Sequence, residues 1–523
     1  MLIQRKTQSP EYWEKEFTIT SEDIQYLSNL LVEDELPRSA EELARALILQ
    51  RCREEDALIK RALAQGTLYR PKNSYVVGER VVFPLLDYRI GEVVGIRPGR
   101  NPEYGPFSVV QVRFDKGRIR EFAAEFMADH PLNYEAGDED VDLLSPDTLA
   151  DMYSARVSKL LEERLESEPD FVWLGGKWFR KDLLVEIHAG HLNLVEAMLD
   201  MAGGGPLSTE AFLGDLELPD EIPPQLRIFS LNYALQEDER FDEVGPAREI
   251  MWFLRSMEPA AVKSVPPYLR YRPEKYEHAL LTSEMQALEK EIDDEWSDLE
   301  PPGVLEEPVT VVLTYPHRVS GTLPLSSRLS RIFPTGRTQR IRFTLIDGDT
   351  GEEMPAWVVR EGRYVYGLEE WYSTYNVPVG ACIELARGEE SGTVTVRLKN
   401  RRSRREWIRV ALPVEGQLTF EMRKQMIPCA YDELMVLAAE DSVAMEAVWS
   451  RVHQQKIPLR QLIAEIFPEL AKLSPQGTVH AATLYSAINV ALRTPPGPML
   501  AELVSSGLYL PVGGNYWVLR GRV

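Results

Sequence analysis

The chain has 523 residues, is 44% hydrophobic and 27% charged, and carries a formal net charge of −23. That length excludes a single hydrophobic core and predicts about three to five domains. The acidic balance argues against a protein coated in nucleic acid and for solubility or basic partners, so any anion-binding surface must be local. Three widely separated cysteines, Cys52, Cys382 and Cys429, exclude a disulfide framework. No apolar h-region follows Met1, and no apolar run approaches the roughly 18 residues of a membrane span. The expectation is a cytoplasmic protein with no membrane partner.

Taken in chain order, residues 1–78 predict a first helical module. Ser21 caps a helix carrying Ile24, Leu27, Leu30 and Leu31 on one face, and Ser39 with Glu42 forms a capping box for a second. A third helix runs from about Arg53 to Gln65 and ends at Gly66. Residues 79–130 change to strand periodicity, with Asp115-Lys-Gly117 as a turn, which predicts a small SH3-like barrel. Residues 131–180 begin as an acidic linker (Glu135, Asp138, Glu139, Asp140, Asp142, Asp147) and pass through a helix into a hairpin. Residues 181–254 form another helical module, and 255–308 a connector with an amphipathic helix over Leu281–Trp296. Residues 309–412 predict seven short strands in a closed or nearly closed β-domain. Residues 413–523 return to helices.

One phrase recurs loosely four times: a strand, a turn and an aromatic strand, at 66–78, 170–180, 239–254 and 507–519. A hairpin placed after helices makes the wing of a winged-helix unit, and repeated small modules bind more often than they catalyse. The fold class expected is therefore α+β and multidomain, with repeated winged-helix-like modules, a small SH3-like barrel and a second barrel-like β-domain.

Catalytic and cofactor signals are sparse. The chain has seven histidines, and His188-x-x-His191 is the one close pair; it suits capping or surface roles better than a metal. No G-x-S-x-G, P-loop or Cys-x-x-Cys motif occurs, so no cofactor and no metal are expected. Asp347, Asp349 and Glu352 are the nearest thing to a nuclease triad, but they crowd one Asp-Gly turn without a lysine nearby.

The basic residues are more informative. Between Arg397 and Arg409 lie Lys399, Arg401, Arg402, Arg404 and Arg405, opposed by Glu406 alone. Arg328, Arg331, Arg337, Arg340 and Arg342 add a second run in the same domain. Together they predict a phosphate-binding face. In the C-terminal module one helix from Thr478 to Arg493 is almost free of acids. His480, Thr483, Ser486, Asn489 and Arg493 form its polar face, a surface for base edges or phosphates.

The C-terminal module resembles the winged-helix class that includes HARE-type helix-turn-helix domains and the amino-terminal domain of the RNA polymerase delta subunit. The resemblance rests on Pro458-Leu-Arg-Gln-Leu-Ile463, the helix from Thr478, and Leu508-Tyr-Leu-Pro-Val-Gly513 ending in Tyr516-Trp517-Val518-Leu519. Pro206-Leu-Ser-Thr-Glu210, Arg240-Phe241 and Val244-Gly245 repeat the layout. Residues 309–412 resemble DNA-binding pseudobarrels of B3-like type through Gly321-Thr-Leu-Pro-Leu-Ser326, Phe333-Pro334 and Gly367-Leu368-x-x-Trp371-Tyr372. These resemblances imply a non-catalytic protein of transcription or its regulation that binds duplex DNA. Two alternatives stand beside it: a scaffold associated with RNA polymerase or a defence system, and a nuclease component of a restriction or repair system.

Overall fold

A computed structural model describes residues 5–114, 117–133, 143–247, 249–390, 392–438 and 442–521. Most of the predicted acidic linker, Glu135 to Asp142, lies outside them. The chain is mixed α+β and divides into two compact units, residues 1–187 with 218–233, and residues 188–217 with 234–523.

In the first unit a helix, Ser21–Asp34, is followed by a two-residue strand, Arg38–Ser39, and a long helix, Ala40–Leu63. Thr20, one residue before the expected cap, holds the first helix: its hydroxyl accepts from the Asp23 amide and Asp23 accepts back. Ser39 and Glu42 form the expected reciprocal box. The two helices expected between 40 and 65 are one, because neither Gly nor Pro interrupts Ala40–Leu63. The expected hairpin at 66–78 is absent. Thr67–Leu68 instead pairs parallel with Val81–Val82 and opens a five-stranded sheet that runs to Ala124. The chain then returns through helix Pro146–Leu165 to a hairpin, Phe171–Leu174 with Lys177–Arg180, whose second strand pairs with Arg38–Ser39. Leu27, Leu43, Leu47, Val157, Leu161 and Phe179 fill the core between them.

That order of helix, strand, helix, helix, strand, strand occurs three times. It recurs from Ala189 to Leu254, and again from Leu459 to Leu519. Each copy closes a three-stranded antiparallel sheet in which the last strand lies between the other two. In the last copy the helices are Leu459–Ala471, Ala481–Ile488 and Pro496–Ser505. The single helix expected over 478–493 ends at Ile488.

Seven strands between Val309 and Leu398 form one sheet of the second unit, with a parallel pair between Arg340–Asp347 and Thr393–Leu398. This β-domain closes at Leu398, not at 412. Beyond it lies a three-stranded sheet: a long ribbon of Arg404–Val414, where a strand was expected over Glu406–Val410, with Gln417–Ile427, which was not expected, joined along Arg409–Ala411 by the parallel strand Val436–Ala438. Glu415 and Gly416 turn the ribbon, both at positive φ (50° and 77°), as a two-residue hairpin loop requires.

The connector ties the modules of this unit together. Asp293 accepts from the hydroxyls of Ser326 and Ser327 and from Arg328. Asp294 accepts from Tyr485 and from both Arg493 bonds, while Glu295 meets Arg493 at 2.7 Å and His317 at 3.2 Å. Arg493, Asp294, Glu295, Tyr485 and His317 are all buried. Burial raises the Asp294 carboxyl against the pull of Arg493. It pushes Glu295 the same way, but Arg493 and His317 prevail there and hold it at about 2.

Candidate nucleic-acid interface

The ribbon changes character along its length. Near its turn, Leu418 and Phe420 face Ala411 and are buried against the helix Leu459–Ala471. Further out, toward Arg404, the side chains emerge. Because side chains alternate along a strand and cross-strand partners share a face, the pairs Arg405 with Met426, Trp407 with Lys424, and Arg409 with Met422 stand on one side. Trp407 is 59% exposed, and Lys424 lies over its ring at 5.9 Å. Met426 and Met422 are also exposed. The ribbon's carboxylates are elsewhere: Glu406 and Glu421 alternate onto the other face, where Glu421 pairs with Arg423, and Glu415 is in the turn. One face therefore presents Arg405, Lys424, an indole and two thioethers with no acid of its own, together with a half-buried Arg409 whose guanidinium donates to the Glu433 carbonyl.

This face runs into a groove of about 540 Å³. Arg409 and Met422 form its ribbon wall, and Leu470, Val479, His480, Thr483 and Tyr516 line the rest. Among the described residues no carboxylate lines it. His480 caps the helix Ala481–Ile488, accepting from the Ala482 amide through Nδ1. Burial lowers its pKa, although Asp432 and Glu291 are close enough to oppose the effect, so the ring is neutral at pH 7. Thr483 is 4% exposed, and its hydroxyl has no hydrogen-bond partner in the protein.

The sequence-predicted residues divide sharply. Arg405 and Arg409 are on the ribbon face, and Arg402 and Arg404 are exposed beside it, with Arg404 on the opposite side. Lys399 is turned to Thr310 and Glu384. Arg401 pairs with Asp349 and lies over the Tyr375 ring at 4.2 Å. His480 and Thr483 reach the groove. Ser486, Asn489 and Arg493 do not form an exposed reading face. Ser486 accepts from the Val436 amide, Asn489 bonds the Tyr485 and Thr494 carbonyls, and Arg493 is enclosed by Asp294 and Glu295. The polar side of that helix is an internal clasp.

The second arginine run is likewise engaged. Arg328 is held by Asp293, Arg331 donates to the Gly303 carbonyl, and Arg340 bridges Asp242 and Glu258 at 2.9 Å each. Arg342 is over Trp357 and donates to the Phe343 carbonyl. Arg337 lies near Glu243. Burial raises the Glu243 carboxyl to about 7 against Arg337, and burial with Asp242 raises Glu258 to about 7 against Arg340. Four of these five are held by partners within the chain, whereas the Arg337 Nε has no hydrogen-bond partner among the described residues.

The acidic turn is also internally satisfied. Asp347 is buried and accepts from Tyr375, Trp371 and the Asp349 amide; burial alone would raise its carboxyl, but these bonds hold it below the usual range. His188 and His191 stack at 3.6 Å and cap a helix reciprocally. Among the described residues no group of three or more His, Cys, Asp or Glu is placed to hold a metal ion, and no helix is long and apolar enough to cross a membrane.

Sequence reasoning missed Met422, Lys424 and Met426, because the strand that carries them was read as helical territory. The signal was present in Glu415-Gly416 flanked by Leu412, Val414, Leu418 and Phe420. No protein-family model, curated protein or solved structure matches the chain.

Proposed function

We propose that this protein is a non-catalytic nucleic-acid-binding factor acting in transcription or its regulation, and that the ribbon face and adjoining groove are its contact surface. The observation that carries the reading is the acid-free face of Arg405, Trp407, Arg409, Met422, Lys424 and Met426 on a chain of net charge −23. Such a local excess of cations is what a polyanion selects. The threefold element order with the central last strand supports assigning the repeats as winged-helix units, akin to HARE-type and polymerase delta domains. In this reading the repeats are scaffolds and protein-docking modules, because the helix expected to read bases is buried. Fluorescence anisotropy with labelled 20-base-pair duplex and 20-nucleotide single strands, at about 50 and 200 mM salt, tests the proposal. Binding that weakens with salt is expected. Absence of binding to every probe at low salt overturns it.

A further inference from the structure

Resting on that reading, we infer that the ligand is single-stranded nucleic acid, held extended along the ribbon with one base stacked on Trp407 and a neighbouring base received by the groove. A duplex shows a protein its phosphates and base edges and hides its base faces. The ribbon face alternates cations with surfaces that suit base faces: Arg405 beside Met426, Lys424 over Trp407, Arg409 beside Met422. A surface made for phosphates alone has no use for an indole 59% exposed to water. Cations that track a backbone, interleaved with an aromatic on which bases stack, are the general pattern for single strands.

Trp407 supplies one surface on which a base can stack. The groove at the end of the face supplies another, with apolar walls from Leu470 and Val479 and the Tyr516 ring.

The test is anisotropy titration of the full chain with labelled dT20, rU20 and a 20-base-pair duplex at one salt concentration. Both single strands are expected to bind at least tenfold more tightly than the duplex, and the two separate DNA from RNA as the source. Trp407→Ala should weaken single-strand binding roughly 5- to 150-fold, the stacking contribution of one base, with the salt slope unchanged. Trp407→Phe should restore most of it. Tyr516→Ala should weaken binding severalfold with the salt slope unchanged, because its exposed ring lines the groove. Duplex that competes as well as single strand, or full affinity in Trp407→Ala, overturns this inference while the nucleic-acid reading stands. An affinity that Tyr516→Ala leaves unchanged overturns the groove contact. Failure of all three probes to bind removes the broader reading itself.

Discussion

Two arginine-rich stretches of the second unit reach opposite ends. From Arg328 to Arg342, the guanidinium groups are bound to carboxylates, carbonyls and a tryptophan of the same chain. From Arg404 to Lys424, the ribbon sets Arg405, Arg409 and Lys424 on a face from which its own acids are excluded by strand alternation, while Arg404 and Arg423 share the other face with Glu406 and Glu421. The two stretches are comparable in sequence. Pairing separates their extremes: Arg340 meets two carboxylates at 2.9 Å each, Arg405 meets none among the described residues, and Arg409, which donates to the Glu433 carbonyl, lies between them. Arg493 is the extreme of the first kind, 5% exposed between two acids.

The comparison can be broken first at that extreme. Arg493→Met leaves Asp294 and Glu295 buried without a counter-charge and should destabilise the second unit by about 3–5 kcal/mol, seen as a lowered denaturant midpoint. A midpoint near that of the parent would mean that the clasp is solvated. Arg340→Ala should cost less, about 2 kcal/mol, because its guanidinium is 24% exposed and its pair is partly screened. A change in nucleic-acid affinity from Arg340→Ala, at unchanged fold, would blur the distinction between the stretches.

A smaller effect comes from pH. Glu243 and Glu258 have folded pKa values of about 7, above the ordinary 4.5, so between those values the folded chain holds more protons than the unfolded one. Their contribution to stability is present below about pH 4.5 and is lost as pH rises through 7. Glu243→Gln should flatten that decline when the unfolding midpoint is followed from pH 5 to 8. A decline that steepens instead would show the carboxyl to be ionised in the folded state.

Much of the scaffold was legible in the sequence. The Ser39–Glu42 box, the 170–180 hairpin and the final Tyr509–Leu519 hairpin announce themselves through local rules of capping and alternation. What was hidden depends on distance or on solvent. Arg493 reads as a surface cation because its partner Asp294 is 199 residues away. The Gln417–Ile427 strand escaped because water faces both of its sides toward Ile427, so Glu421, Arg423, Lys424 and Gln425 erase the apolar alternation. The cluster at 397–409 was recognisable as basic, and the strand at 406–410 was expected, but the positive charge was placed on the turn before it and the strand's partner was not foreseen. Which of its cations share a face with Trp407 follows from register, and register required the second strand.

The measurement that bears most directly on the central claim compares two triple variants in one salt titration of nucleic-acid binding. Arg405→Ala with Arg409→Ala and Lys424→Ala removes the ribbon's cations; Arg328→Ala with Arg331→Ala and Arg342→Ala removes three from the engaged run. The ribbon variant should bind far more weakly and lose about 2 from the slope of log affinity against log salt, at roughly 0.7 per lost phosphate contact on a single strand. The second variant should lose stability and keep the parent slope at any temperature where it is folded. Equal slopes for the parent and the ribbon variant would contradict the account.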